Sequence, residues 1–469
     1  MNYLAIVRIL SILGLWVSGL LLLCALVAVS LGELSSALIF LVTASLSGPL
    51  GATILLLTNR PSQRTRAQDG LAIAVLFWLV IPVFCAVPFL PMVGQGGWVA
   101  AYYESVSCLT TTGHSLIDYS GAPLPASLLL WRAILHLLGA IATISIAASI
   151  LAAMNLGGPG IHRSRFFTIP EGSFFDSFPR IVRTTTVIVC VLILVIGSLL
   201  LILGVSPRET LSGAISAISS GLVDPNSDSY APSQGTLHAM VLALGLFMGA
   251  LGLVVLDYLG SGHIRKALAD PETLALAGSV IAIGLLAFIA GLPIIQSFGW
   301  ALSSLTTSGL ALSDPSRFER LPLVLVLFPV LVGGSALSAA GGIKLARLVV
   351  LTKRVSLEFI QLGYRGSVQS FTFRGRKQSE RTIMGVWVYL VGYIMACVAG
   401  ILFLSIIGLT FDDSVRATIG SLSNSGHVIG SLSSTLEWPA QICVTLGMVL
   451  GRLEVIALLP VLNLAFWSR

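Results

Sequence analysis

Four short tracts of small hydroxylated residues, each around one glycine, hold the residue types and spacing that bear on chemistry. They read Thr110-Thr111-Thr112-Gly113-His114, Ile218-Ser219-Ser220-Gly221-Leu222, Thr306-Thr307-Ser308-Gly309-Leu310 and Ser423-Asn424-Ser425-Gly426-His427. Their glycines recur at intervals of 108, 88 and 117 residues. What such a loop offers is oxygen. Glycine reaches the positive φ angles that turn successive carbonyls to one side, and Ser or Thr hydroxyls satisfy amides on the other. One such tract reads equally well as a turn in an outer loop; four in register point to a cation site. Metalloprotease, nucleophile-elbow and P-loop patterns are absent from the sequence, and so is an intramembrane carboxylate pair, which argues against an embedded enzyme.

The elements that must position these oxygens follow from length. Ahead of each tract lies a moderately apolar segment, 98–109, 209–218, 296–305 and 412–422, too short to cross a bilayer. A helix that stops partway leaves carbonyls unpaired, which hydrocarbon tolerates only where they line a cavity or meet an ion. Four such ends, each carrying about half a negative elementary charge, would suit a cation. Glu209, Asp412 and Asp413 stand where the second and fourth short helices begin, favourable for their positive ends. Around the tracts lie apolar runs at 4–31, 36–58, 70–92, 124–155, 184–204, 236–259, 272–292, 321–352, 382–409 and 437–462, which predict ten spans.

Composition agrees. Of 469 residues 56% are hydrophobic and 10% charged, against about 25% charged in a soluble domain, so a soluble enzyme is excluded. The net charge of +6 invites a nucleic-acid reading, but 18 of the 26 Lys and Arg fall in segments that share one side if the N-terminus is inside. They report topology, with both termini cytoplasmic. The six cysteines are scattered without a metal or disulfide spacing and read as small core residues. The N-terminal run is too long for a signal peptide and reads as a helix.

Two further features stand out. The eighth apolar run is interrupted by small residues from Gly333-Gly334 to Gly341-Gly342, which suit either close helix packing or a broken helix whose loop gates a path, with Lys344 and Arg347 as its cytoplasmic anchors. Arg452 lies deep in the last span, where a charge costs about 2.5–3.5 kcal/mol on insertion scales; snorkelling is the alternative to a functional role. Gly245 and Gly249 suit close helix contact. Asp118, Asp224, Asp228, Asp314 and Glu437 in outer loops are either solvated or concentrate cations. The basic stretch 353–381 suits anionic lipid or a soluble partner.

Asp69-Gly70 through Pro88-Phe89, Tyr102-Tyr103-Glu104-Ser105-Val106-Ser107, Trp131-Arg132-Ala133, Gly333-Gly334-Ser335-Ala336 through Gly341-Gly342-Ile343-Lys344, Gly451-Arg452-Leu453-Glu454 and Ala465-Phe466-Trp467 occur in a specific order around the tracts. In these the chain resembles the Trk/Ktr/HKT superfamily of potassium transporters, and within it the bacterial TrkH/TrkG branch, over nearly its whole length. The resemblance implies a pseudo-fourfold pore with two extra N-terminal helices, a homodimer, and a TrkA-type cytoplasmic nucleotide-binding ring as partner. It implies a selectivity filter at Thr111, Thr112 and Gly113; Ser219, Ser220 and Gly221; Thr307, Ser308 and Gly309; and Asn424, Ser425 and Gly426, with potassium met at Thr112, Ser220, Ser308 and Ser425. One glycine per repeat builds that filter, and serine in place of the first accompanies sodium preference in plant relatives; four glycines favour potassium. Gly333, Gly334, Gly341 and Gly342 would bound the gate loop, where Leu337 and Ala339 depart from the family's glycine and threonine, and Arg452 would be a barrier in the pore.

The expected fold is therefore an all-α polytopic membrane protein. Residues 1–69 form two N-terminal helices, and 70–160, 161–262 and 263–352 three pore repeats, the third with the gate loop. Residues 353–469 hold a basic cytoplasmic loop and the fourth repeat. The expected function is potassium uptake, with rubidium also carried, across a bacterial inner membrane, without covalent chemistry, a covalent cofactor or nucleic acid. Relaxed or sodium-permeable selectivity is the alternative within the fold; a secondary transporter of another solute would want more ionisable groups within the bilayer. His114 and His427 follow the first and fourth glycines, where the family more often has alanine and proline. Because those tracts adjoin around a ring, two imidazoles titrating near pH 6.5 are candidates for sensing external pH.

Overall fold

Apolar runs become helices because a chain within a bilayer must satisfy its own backbone groups. The computed structural model describes residues 2–58, 67–117, 124–153, 174–224, 236–312, 321–364, 372–373, 376–377, 380–432 and 436–461. It opens with α1 (Tyr3–Ser30) and α2 (Leu34–Leu57), packed on each other, with Gly32 at φ 77° in the turn between them. Glu33 in that turn reaches the start of α5 (Ala126–Ala153), where its carboxylate accepts from the backbone N–H groups of Ala126 (2.8 Å) and Ser127 (3.1 Å) and from the Ser127 hydroxyl. It thereby caps two otherwise unpaired donors of α5 and ties the N-terminal pair to the rest.

Between them come α3 (Ala67–Ala86) and the short α4 (Gly97–Leu109). Next are α6 (Phe174–Ile202), the short α7 (Pro207–Ser219), α8 (Thr236–Ala250) and α9 (Leu253–Gly260). Then follow α10 (Pro271–Ile289), the short α11 (Ile294–Leu305), α12 (Leu323–Val332) and α13 (Leu345–Gly363). The described chain ends with α14 (Glu380–Ile407), the short α15 (Phe411–Leu422) and α16 (Trp438–Val461). Each short helix packs against the long helix before it, and α16 returns to pack on α3 and α4, so the end of the chain meets its first third. The largest apolar cluster sits at that meeting, around Trp78, Phe89, Tyr103, Trp131 and Met448.

Among the described residues seven helices, α1, α2, α3, α5, α6, α10 and α14, are long and apolar enough to cross a membrane. The protein is an integral membrane protein. The sixth apolar run, expected as one span, instead bends by 113° between α8 and α9. The cause lies in two contacts. Gly249 lies against the end of α7, where a Cβ would come within 2.7 Å of Ala217 O, and segment 333–344 supplies partners to the groups the bend frees. Ser335 N donates to Ala250 O (3.1 Å) and Leu253 N to Leu337 O (3.0 Å). The eighth run is likewise broken: α12 stops after 10 residues, and no helix resumes until Leu345.

Candidate permeation site

All four short helices end in a left-handed turn. In three, one residue near the right-handed region (Thr110, Thr306, Ser423) is followed by one at positive φ: Thr111 at 52°, Thr307 at 59° and Asn424 at 49°. Threonine is a strained choice there, since its branched Cβ crowds the backbone. The turn brings the next amides back over the helix end. Thr112 N and Gly113 N donate to Ser107 O, Ser308 N and Gly309 N to Ser303 O, and Ser425 N to Gly420 O, so carbonyls that would otherwise be orphaned are satisfied on the helix side.

The second tract is one residue out of register with the alignment drawn from the sequence. Its helix runs to Ser219 and the left-handed residue is Ser220, at 61°. A serine in each of three helices bonds to the backbone seven residues on: Ser107 Oγ to His114 O (2.6 Å), Ser303 Oγ to Leu310 O (2.8 Å), and Val223 N to Ser216 Oγ (3.0 Å). Both markers match Ser220 with Thr111 and Leu222 with Gly113. The expectation that Ser219, Ser220 and Gly221 match Thr111, Thr112 and Gly113 is therefore corrected to Ser220, Gly221 and Leu222. The visible signal was the last apolar residue of each short helix: Leu109, Ile218, Leu305 and Leu422.

The tracts meet in cyclic order. A Cβ on Gly221 would lie 2.0 Å from Thr111 O, and one on Gly113 2.3 Å from Leu222 N, so the first and second are in backbone contact. Ser308 Oγ donates to Ser216 O (3.2 Å) and Ser425 Oγ to Thr307 O (3.4 Å). Gly426 N donates to Thr112 O (2.9 Å), and the Asn424 amide to Thr112 Oγ1 (3.2 Å). Glycine is needed for two different reasons. Gly113 (78°) and Gly309 (68°) have the positive φ expected, whereas Gly221 and Gly426 do not and are held to glycine by the closeness of the neighbouring loop.

A buried ion pair behind the first tract was not singled out from the sequence. Glu104 and Arg132 are fully buried and 2.6 Å apart. Glu104 also accepts from Ser115 Oγ (2.8 Å) and Leu116 N, and Arg132 Nε donates to Val223 O (2.8 Å). One pair thus fixes the chain just beyond both the first and second tracts. An Arg at the start of a span and a Glu inside a short apolar helix were the available signal.

Segment 333–344 lies against the tracts. Gly341 N donates to Thr307 Oγ1 (2.9 Å), and a Cβ on Gly341 would overlap Ser423 O. Gly333 (72°) and Gly342 (79°) make its two turns, and Gly334 is packed against Ala340. Glu272 accepts from Ala336 N (2.8 Å), and Lys344 Nζ donates to Ser338 O (3.2 Å) and Ala340 O, holding the segment from both sides. Leu337 is buried in an apolar cluster, and Ala339 presents its carbonyl to Arg452 Nη1 (2.6 Å). Arg452 Nε donates to Thr110 O (2.6 Å) and Nη2 to Thr111 Oγ1, so this arginine bridges the segment and the first tract rather than snorkelling. Arg347 stacks 3.9 Å from the Tyr389 ring centre.

The histidines differ from each other. His114 is 4% exposed, and its Nδ1 shares a 2.6 Å hydrogen bond with the Tyr103 hydroxyl behind the loop. His427 keeps some exposure, bonds Ser425 Oγ through Nδ1 (2.9 Å), and lies where a Cβ on Gly309 would strike it. Glu209, Asp412 and Asp413 occupy first turns of α7 and α15, and Thr410 caps α15 at Asp413 N (3.3 Å). Asp224 lies 3.9 Å from Arg208, and Glu437 is exposed. Asp118, Asp228, Asp314 and the Glu454 side chain fall outside the described residues, as does part of the basic stretch.

Comparison with known proteins gives one answer. Residues 289–464 match the family described as TrkH, cation transport protein. The chain is 26% identical to the Trk system potassium uptake protein TrkG of Escherichia coli, covering 96% of each chain. It is also 26% identical to the Trk system potassium uptake protein TrkH of Vibrio parahaemolyticus, covering 89% of this chain and 90% of that one. The crystal structure of the potassium transporter TrkH from Vibrio parahaemolyticus superposes with a TM-score of 0.84 over 100% of both chains at 25% identity.

Proposed function

We propose, from a chain similar over its whole length to bacterial TrkH and TrkG, that this protein takes up potassium across the inner membrane through a path lined by the four tracts. The observation that carries the reading is the cyclic contact of four loops at the ends of four short helices. Relatives named for potassium uptake support the ion. In this reading the chain has ten membrane-crossing elements, counting broken ones: two N-terminal helices, then four units of span, short helix, loop and span. Both termini are cytoplasmic. Potassium sheds water against carbonyl and hydroxyl oxygens of residues 111–113, 220–222, 307–309 and 424–426, where the negative ends of four helix dipoles favour positive charge. The electrochemical gradient drives it.

Segment 333–344 acts as the gate. It lies against the tracts on the side where Arg452 adds a positive barrier, held by Glu272, Lys344 and Arg452 itself. A homodimer and a TrkA-type nucleotide-binding ring on the cytoplasmic face complete the proposal. The test is rubidium and sodium flux into liposomes containing the purified protein, with and without the ring. Rubidium entry supports the reading; flux of neither ion in the presence of the ring would remove it.

A further inference from the structure

We infer that Leu222 stands at the filter-glycine position of the second tract and makes this path less selective for potassium than a ring of four glycines. The inference rests on the transport reading above and names its specificity-determining residue. Two markers set the register in all four tracts. The last apolar residue of the helix is Leu109, Ile218, Leu305 or Leu422, and the left-handed residue is Thr111, Ser220, Thr307 or Asn424. A helix serine also meets the backbone seven residues on, Ser107 donating to His114 O and Ser303 to Leu310 O, while Ser216 accepts from Val223 N. Counting on from each, Gly113, Leu222, Gly309 and Gly426 share one level.

Leucine is tolerated there because its φ is not positive, unlike those of Gly113 and Gly309. The residue is 7% exposed and packs in the apolar cluster that also holds Ile218, Leu302 and, from the third tract, Leu310. Its backbone meets Gly113 directly. The second loop is thus pinned to the core at the level where Gly113 and Gly309, on the first and third loops, take a conformation open to glycine. The level has two kinds of quadrant: first and third at positive φ, second and fourth not. Discrimination between potassium and the smaller sodium depends on the number and placement of oxygens around the ion. A ring of unequal oxygens, one side fixed by a packed isobutyl group, lets the smaller ion settle against a subset instead of being held at the centre by all.

The experiment compares rubidium and sodium flux in liposomes for the native chain, Leu222→Gly and Leu222→Ala. The native protein should pass sodium at a rate within about tenfold of rubidium, and Leu222→Gly should raise the rubidium-to-sodium ratio by about tenfold, the low end of what one side chain changes in a specificity site. Leu222→Ala, which keeps a Cβ and its backbone restriction, should move the ratio little. A native ratio of a hundredfold or more overturns the inference, and so does an unchanged ratio in a correctly folded Leu222→Gly protein. Should that variant fail to fold, the native ratio decides alone: low supports, high overturns. Flux of neither ion overturns the transport reading itself, and the inference with it.

Discussion

An ion pair and a glycine decide how firmly the first tract is held. Removing one member of a buried ion pair strands the other charge, so Arg132→Met should destabilise the protein by about 3–5 kcal/mol. The double variant Glu104→Leu with Arg132→Met should lose less than the two single changes together, because no charge is left alone. Thermal unfolding of the purified protein in detergent checks the order. Gly113 is the second: its φ of 78° and the approach of Leu222 N leave no room for a side chain. Gly113→Ser should therefore weaken preference for potassium over sodium in bi-ionic flux, and unchanged preference would remove the first tract from the filter. The histidines divide the expected pH response. His114 is enclosed with Tyr103, whereas His427 is only partly buried, its Nε2 enclosed and its ring against Gly309. Acidifying the outside should slow uptake by placing charge beside entering cations, and because the Nε2 of His427 is buried it should do so only below the ordinary histidine range. His427→Pro should remove most of that dependence and His114→Ala little of it; equal profiles for native and His427→Pro proteins would assign the effect elsewhere.

Among elements, the broken ones carry the function proposed and the unbroken ones hold them. Arg452→Ala, or deletion within 335–340, should raise basal rubidium flux without a cytoplasmic partner; lower folding yield with no gain in flux per folded protein would mark the segment as packing only. The cap that Glu33 places on α5 has a pH signature. Partial burial pushes its carboxyl up, but hydrogen bonds from Ser127 and Ala126, with Arg208 nearby, outweigh this and hold it below its ordinary value. That contribution is present above the usual carboxylate range, about pH 4.3, and fades as pH falls through the depressed value. Glu33→Gln should lower the unfolding temperature at pH 7 and remove that acid-side loss. The short helices were legible in the sequence to within two residues, because each ends where an apolar segment meets a hydroxyl-rich tract. The bend after Ala250 was not, since what stabilises it are amides and carbonyls of a segment some 85 residues later in the sequence, at 335–337. The second tract is a different case: its glycine looked equivalent to the others by composition, although counting from Ile218, the last apolar residue of its helix, shows the offset that the backbone angles then fix.

For the whole molecule, the packing of α16 on α3 and α4 makes the last third of the chain a wall of the same site as the first. Truncations ahead of α16 should therefore abolish assembly rather than leave a smaller active unit. The proposed topology predicts that a single cysteine in place of exposed Ser261, in a background without the native cysteines, reacts with an impermeant maleimide from the cytoplasmic side alone. One in place of exposed Glu437 should react from outside alone. Reaction of both from one side would invert or break the arrangement of spans. The mutual capping of the bend and segment 333–344 has a kinetic corollary. Ala250 O and Leu253 N have their partners only while Ser335 and Leu337 stay in place, and a buried group left without one costs about 1–3 kcal/mol. Any displacement of the segment strips both helix ends at once, so intermediate positions are disfavoured relative to either end state. Single-molecule recordings should show abrupt, exponentially distributed dwell times and no continuum of partial conductances, with closed intervals shortening in Ser335→Pro, which removes one of the two donors.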